Sequence, residues 1–271
     1  MTTPCEVHLY ATSQVKARKV AADILDSSKK LEKKYNFYDK NSYLSALNQR
    51  EINKVDYQTK EVLKLAKTFY AKTNGIFDVT VGTLKQSMGH DSIKAIEAHK
   101  KKLSAYVGAD NFYVKKDLLH FSNPHTVIDL GGFIKEYAVD NAIKIVKKAK
   151  IASALINFGG DIYALGLKPN GSPFNIGLKN PLNSQQYLQD ISLSNQAFTT
   201  SASYARNQTI EGKNYSHIMH TEELQNKVLS ASVFSPTALQ SGVYSTALMI
   251  DHTLNVPFKK LLIYSDLRVS K

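Results

Sequence analysis

Val127-Ile-Asp129-Leu-Gly131-Gly132-Phe-Ile-Lys135 is the stretch on which the fold turns. Two β-branched apolar positions lead to an acid, two glycines follow with one leucine between, and a helical pattern begins. The pattern predicts a short buried strand over 126–129 and a helix from Gly131-Gly132 to about Lys150, with Phe133, Tyr137, Ala138, Ala142, Ile145 and Val146 inward. Glycines allow close approach of a ligand to the backbone, and a helix N-terminus offers free N–H groups to an anion. Lys135 adds charge one turn in. The segment is neither GxGxxG nor a Walker A loop, so neither nucleotide fingerprint is supported.

Outward from this stretch, apolar or small residues at Val15, Ala17, Ala21, Ile24, Leu25, Ser28, Leu31 and Tyr35 predict a helix over 13–35. A second is expected over 60–72, closed by Asn74-Gly75. Ile93 to Leu103 is a third, and residues 111–121 read as a hairpin around Lys115-Lys116-Asp117. Strands are expected over 152–158, 174–178, 189–193, 197–200, 228–234 and 258–264, with a helix over 237–250. Helices and strands mix without a βαβ period, so the fold class is α+β, with mixed sheets flanked by helices in a single compact domain over 1–271.

The chain has 271 residues, 43% of them hydrophobic and 21% charged, which is globular rather than disordered composition. One cysteine, Cys5, excludes an intramolecular disulfide framework and multi-cysteine metal sites. The net charge is +12. Its lysine runs flank apolar residues at helical spacing, so they read as solvated helix faces, and no nucleic-acid partner is expected. No apolar run reaches the roughly 18 residues of a membrane span. The first ten residues carry neither a basic nor an apolar leader pattern. The sequence as given therefore reads as cytoplasmic, or as exported or lipid-anchored if it is trimmed from a longer chain.

Three further clusters interrupt the core pattern. Ile76-Phe77-Asp78-Val79-Thr80-Val81-Gly82 follows a helix end, and on its own reads best as a turn with an Asx cap. Asn157-Phe-Gly159-Gly160-Asp161-Ile162 reads as a hairpin turn. Phe198-Thr199-Thr200-Ser201 is hydroxyl-rich, and Tyr215-Ser216-His217-Ile218 follows it.

In this order the segments resemble the ApbE family of FAD:protein FMN transferases. Met1-Thr-Thr-Pro-Cys5 resembles the family's opening, and Tyr38-Asp-Lys-Asn-Ser42-Tyr-Leu-Ser-Ala-Leu-Asn48 its Y-D-P-N-S stretch. Phe77 to Gly82 resembles FDxTVG, 129–140 resembles DLGGIAKGYAVD, and 157–162 resembles NxGGDI. Thr199-Thr200-Ser201 and Tyr215-Ser-His217-Ile218 complete the set. The resemblance implies transfer of FMN from FAD to a threonine hydroxyl of an acceptor protein, with release of AMP and with Mg²⁺ assisting. It implies Met1, Tyr38, Ile76, Phe77, Asp78, Asp129, Lys135, Asp161, Thr200 and Ile218 at the FAD site. His217 and Lys135 are the implied catalytic residues, and the Gly132 carbonyl and Thr246 the implied metal ligands.

The chain departs from the pattern at several points. Gly242 stands four residues before Thr246, where the late helix of the family carries aspartate, and Glu136 stands where glycine is usual. Losing that acid removes the main charge complement of an oxygen-ligand Mg²⁺ site. A flavin-binding protein without catalysis is therefore a second reading, under which Gly242→Asp is expected to switch on metal binding. An FAD pyrophosphatase is a third.

Overall fold

The computed structural model describes residues 3–89, 92–202, 207–210, 213–216 and 228–270. The strands in chain order are β1 (Cys5–Tyr10), β2 (Phe112–Lys115), β3 (Leu118–Phe121), β4 (Ser153–Phe158), β5 (Asp161–Leu165), β6 (Phe174–Asn180), β7 (Asn183–Leu193), β8 (Gln196–Ala202), β9 (Asn207–Ile210), β10 (Lys213–Ser216), β11 (Val228–Ser235), β12 (Lys260–Tyr264) and β13 (Val269–Ser270). The α-helices are α1 (Gln14–Tyr35), α2 (Tyr43–Asn48), α3 (Tyr57–Lys72), α4 (Gly82–Lys85), α5 (Ile93–Leu103), α6 (Ile134–Lys148) and α7 (Ala238–Ile250). The α+β class expected from the sequence is the one observed. By internal contacts the chain divides into two compact units, 1–33 with 133–202 and 227–271, and 34–132 with 203–226.

The first unit is built on an antiparallel sheet in the order β1-β4-β5-β8-β11-β12-β13. Alternation gives it two distinct faces. Ile162, Ala164, Phe198, Phe234, Leu261 and Ile263 form a core with Phe174, Leu178, Ile191 and Leu193 of the β6–β7 hairpin. The opposite face carries α6 and α7. Every strand expected from the sequence in this unit is present, several longer than expected; β5 and β13 were not anticipated, and neither was β1. It pairs with β4 from Cys5 opposite Phe158 to Tyr10 opposite Ser153.

The buried side of α1 differs from the expected stripe. Val20, Ile24, Ser28, Leu31 and Tyr35 are buried, whereas Val15 is 80% and Leu25 54% exposed. The helix buries one narrow i, i+4 seam, and the two outlying apolar residues flank it.

In the second unit α3 opens on the cap Asp56, whose side chain accepts from the Thr59 N–H, and buries Val62, Leu63, Ala66 and Phe69. The β2–β3 turn uses Lys116 and Asp117, both at positive φ, as a two-residue hairpin requires. The strand expected over 126–129 is not one. The segment is extended, but side chains take most of the places of a neighbouring strand. Val127 N–H donates to Thr83 Oγ1 at 2.8 Å, Ile128 N–H to Asn48 Oδ1 at 2.9 Å, and Asn48 Nδ2 returns a bond to Ile128 O at 2.8 Å. Asp129 N–H donates to Val79 O at 2.7 Å. Gly82 is required here, because a Cβ would lie 2.9 Å from Asp129 Cβ and 3.0 Å from Val127 O.

Asn48 is therefore the clamp that holds the extended segment. Asn48→Ala leaves the Ile128 N–H and C=O without their partner, and is expected to lower the unfolding free energy by about 2 kcal/mol. Urea denaturation at unchanged m-value is the check; a loss below a few tenths of a kcal/mol would show that water replaces the clamp.

Candidate functional site

In the second unit the extended segment delivers Asp129 to a buried position, where Oδ1 accepts from the Gly131 N–H at 2.8 Å. Its other oxygen pairs with the Lys85 ammonium at the end of α4. Lys85 Nζ also lies 3.4 Å from Tyr38 Oη, 5.4 Å from the Phe37 ring centroid and 5.5 Å from that of Tyr38. Burial alone would pull the lysine's pKa down. The Asp129 charge and the Tyr38 hydroxyl outweigh it and hold the ammonium above its ordinary value. Tyr38 itself is 78% exposed, an aromatic face left open beside a satisfied ion pair.

Asp78 sits one residue before the Val79 carbonyl that holds Asp129. Its Oδ1 accepts from the Thr80 N–H at 2.8 Å and from Thr80 Oγ1 at 2.7 Å, which is the Asx-cap role expected from the sequence alone. Phe77 is buried and Ile76 half-buried. Gly132 is exposed, and a Cβ there would meet nothing within 4 Å. Close packing therefore does not explain that glycine.

In the first unit the β4–β5 turn places Gly159 and Gly160 at φ 63° and 97°, and Asn157 Oδ1 accepts from the Gly160 N–H at 2.9 Å. The turn starts β5 at Asp161, which is 1% exposed and pairs with Lys135 of α6. Burial, followed by the adjacent Glu136 carboxyl, pushes Asp161 well above the ordinary carboxylate range despite that lysine. Thr199 lies directly opposite Asp161 in the ladder, and Ser201 two residues on shares its face. Ser201 Oγ is 2.8 Å from Ser245 Oγ and 3.1 Å from Thr246 Oγ1 of α7. Lys135, Asp161 and Thr246 are thus gathered on the face that carries the two helices. Thr200 is not: strand alternation turns it to the other face, where its hydroxyl is 2.8 Å from Ser232 Oγ. Met1, His217 and Ile218 lie outside the described residues.

Two helices are locked together above this cluster by Asp140. Its carboxylate accepts from the Ala238 N–H at 2.7 Å and the Leu239 N–H at 3.0 Å, capping α7 from α6. The sequence reading passed over this acid, whose place in the DLGG-to-Asp140 stretch is structural.

The ApbE family model matches residues 1–255, and those residues carry both clusters. The chain belongs to the ApbE family. It is 26% identical over 208 residues to an FAD:protein FMN transferase of Klebsiella pneumoniae, a match covering 70% of this chain and 58% of that relative. The chain therefore spans little more than half the length of that ApbE relative. Against the Haemophilus influenzae FAD:protein FMN transferase it is 25% identical, over 96% of this chain and 80% of the relative. Its backbone superposes on the ApbE protein of Thermotoga maritima with a TM-score of 0.85 at 26% identity, covering 98% of this chain and 93% of that one.

Two side chains in these clusters escaped the sequence reading. Lys85 has no motif of its own, and only its spacing from FDxTVG, at the end of the turn which that motif caps, hints at it. Glu136 was visible as a substitution for glycine, but an acid at a helical position that turns out 5% exposed gives no signal by type. Its carboxyl fills the space at Gly242, where a Cβ would come within 3.0 Å of both Glu136 Cδ and Oε1. An aspartate at 242 would therefore have to displace the Glu136 side chain.

The Asp140 cap makes stability pH-dependent in a defined direction. Burial raises its pKa to about 6 from an ordinary 3.8, against the two N–H groups that lower it. A raised carboxyl favours the folded state while protonated, so stability is full below about pH 4 and falls as pH rises through 6. Asp140→Asn mimics the protonated form. The variant should gain on wild type by at most about 3 kcal/mol between pH 4 and pH 7, read as the difference between their urea midpoints. A difference that is flat with pH would remove the argument.

Proposed function

We propose that the chain transfers FMN from FAD to a threonine hydroxyl of an acceptor protein, releasing AMP. The observation that carries the proposal is the pairing of Lys85 with the buried Asp129 beside the open Tyr38 ring, Asp129 and Tyr38 standing at positions the family pattern prescribes. The relatives' own names, FAD:protein FMN transferase, support the same reading.

In this reading the acceptor hydroxyl attacks the FMN phosphorus. One P–O bond forms, the pyrophosphate P–O bond breaks, and AMP leaves with the electron pair of that bond. Tyr38 and Phe37 offer aromatic faces to a planar ring, and the Asp129–Lys85 pair fixes the ammonium that faces them. Lys135, held by Asp161 at the start of α6, supplies positive charge toward phosphate oxygens. His217 takes the proton of the attacking hydroxyl, since an imidazole titrates near working pH.

Apart from the Lys135 ammonium paired with Asp161, the polar side chains of the cluster on the helix-bearing face offer only oxygen, with the carboxyls of Glu136 and Asp161 and the hydroxyls of Ser201, Ser245 and Thr246. That donor set fits a hard divalent cation. The Thr246 hydroxyl would hold Mg²⁺, as the family resemblance implies. When bound, the ion neutralises charge developing on the pyrophosphate.

Incubation with FAD, Mg²⁺ and a threonine-bearing acceptor peptide should yield AMP and flavinylated peptide in equal amounts. FMN with AMP in the absence of peptide would instead indicate hydrolysis. His217→Ala should lower the turnover rate by about 100-fold or more with little change in FAD affinity. An unchanged rate would rule out its role as base.

A further inference from the structure

Gly242 and Glu136 are departures from the family pattern that meet in space. One removes a carboxylate from α7; the other adds one on α6. Glu136 Cδ and Oε1 both lie 3.0 Å from where a Cβ on residue 242 would stand. An aspartate at 242 would put its carboxyl one bond beyond that Cβ, so the Glu136 carboxyl occupies the region an aspartate there would fill. Residues 242 and 246 are four apart on one helix, so this region is on the same side of α7 as Thr246.

The surroundings of Glu136 point to a missing charge partner. The residue is 5% exposed, and its Oε2 is buried without a hydrogen-bond partner. Thr199 Oγ1, opposite Asp161 in the ladder, is also buried and unpartnered. The neighbouring Lys135 ammonium is already paired with Asp161. The two carboxyls are hydrogen-bonded to each other and share that single ammonium, so one further positive charge, a proton or a cation, is what the cluster calls for. Among the described residues no three His, Cys, Asp or Glu side chains converge as a metal cluster. Hydroxyl and main-chain oxygens would have to complete any coordination shell, as suits magnesium.

We propose that Glu136 is a relocated metal ligand, supplying from α6 the carboxylate that Gly242 no longer supplies from α7, so that the divalent-cation site of this chain is rebuilt rather than lost. The inference rests on the transferase reading only for the identity of the ion. The competing reading is that Glu136 is a neutral plug filling the space beside Gly242.

Manganese separates the two, because its paramagnetism reports binding without turnover. Electron paramagnetic resonance titration with Mn²⁺, with and without FAD, should give one site in wild type that Mg²⁺ displaces. Glu136→Gln, which keeps the volume and removes the charge, should weaken that site at least tenfold. Gly242→Asp alone should lower the melting temperature, since its side chain meets Glu136. The exchange Glu136→Gly with Gly242→Asp should recover both melting temperature and Mn²⁺ affinity. Wild type that binds no Mn²⁺ under either condition, or Glu136→Gln that binds as wild type does, overturns the proposal. Failure of the exchanged variant to recover Mn²⁺ binding while folded would overturn the equivalence of the two carboxylates. Glu136-dependent Mn²⁺ binding without AMP release would instead leave the metal site standing and remove the transferase reading.

Discussion

A buried carboxylate is tolerated only with a counter-charge or a proton, and this constraint organises the first unit. Asp161 opens a central strand beneath two helices and is almost fully buried. Lys135 meets it from the first turn of α6, which fixes where that helix begins on the sheet. Asp140, one and a half turns further along, takes two N–H groups of α7 and sets the second helix against the first. The glycine turn before Asp161 and the hydroxyls of β8 then arrange themselves around charges whose positions are already decided. The second unit repeats the device on a smaller scale, with Lys85 answering Asp129.

The five longer helices and most strands were legible because their signals are local, whereas the short α2 and α4 were not. Asp56 and Asn74-Gly75 bracket α3, and Lys116-Asp117 announce the β2–β3 turn. The segment over 126–129 misled for a physical reason. Periodicity reports that a stretch is extended and buried, but not what its N–H groups bond to. Here Asn48 and Thr83 take that place, and no pattern in a one-dimensional reading marks a side-chain amide as a surrogate strand. β1 was missed for the opposite reason: Cys5 to Tyr10 is an edge strand with alternating exposure and no continuous apolar run.

Site residues were legible where the backbone demands a residue type. Gly82, Gly159 and Gly160 stand where only a small side chain or a positive φ fits. Thr200 illustrates the limit: motif matching cannot distinguish adjacent hydroxyls that strand alternation sends to opposite faces. Lys85 and Asp140 escaped because their importance is relational. Each is ordinary in its own segment and acquires meaning only from an acid or a helix end 44 or 98 positions away.

The same reasoning changes how a degenerate motif is to be read. A motif records which position in the chain carries a charge, whereas a metal or phosphate responds to where the charge lies in space. Gly242 taken alone is the loss of an acid. Seen with Glu136, it is half of an exchange, because a larger residue at 242 would push the added side chain from the place it now holds. Steric exclusion thus couples two positions 106 apart in sequence. The net charge of the cluster is the quantity the pair of substitutions preserves.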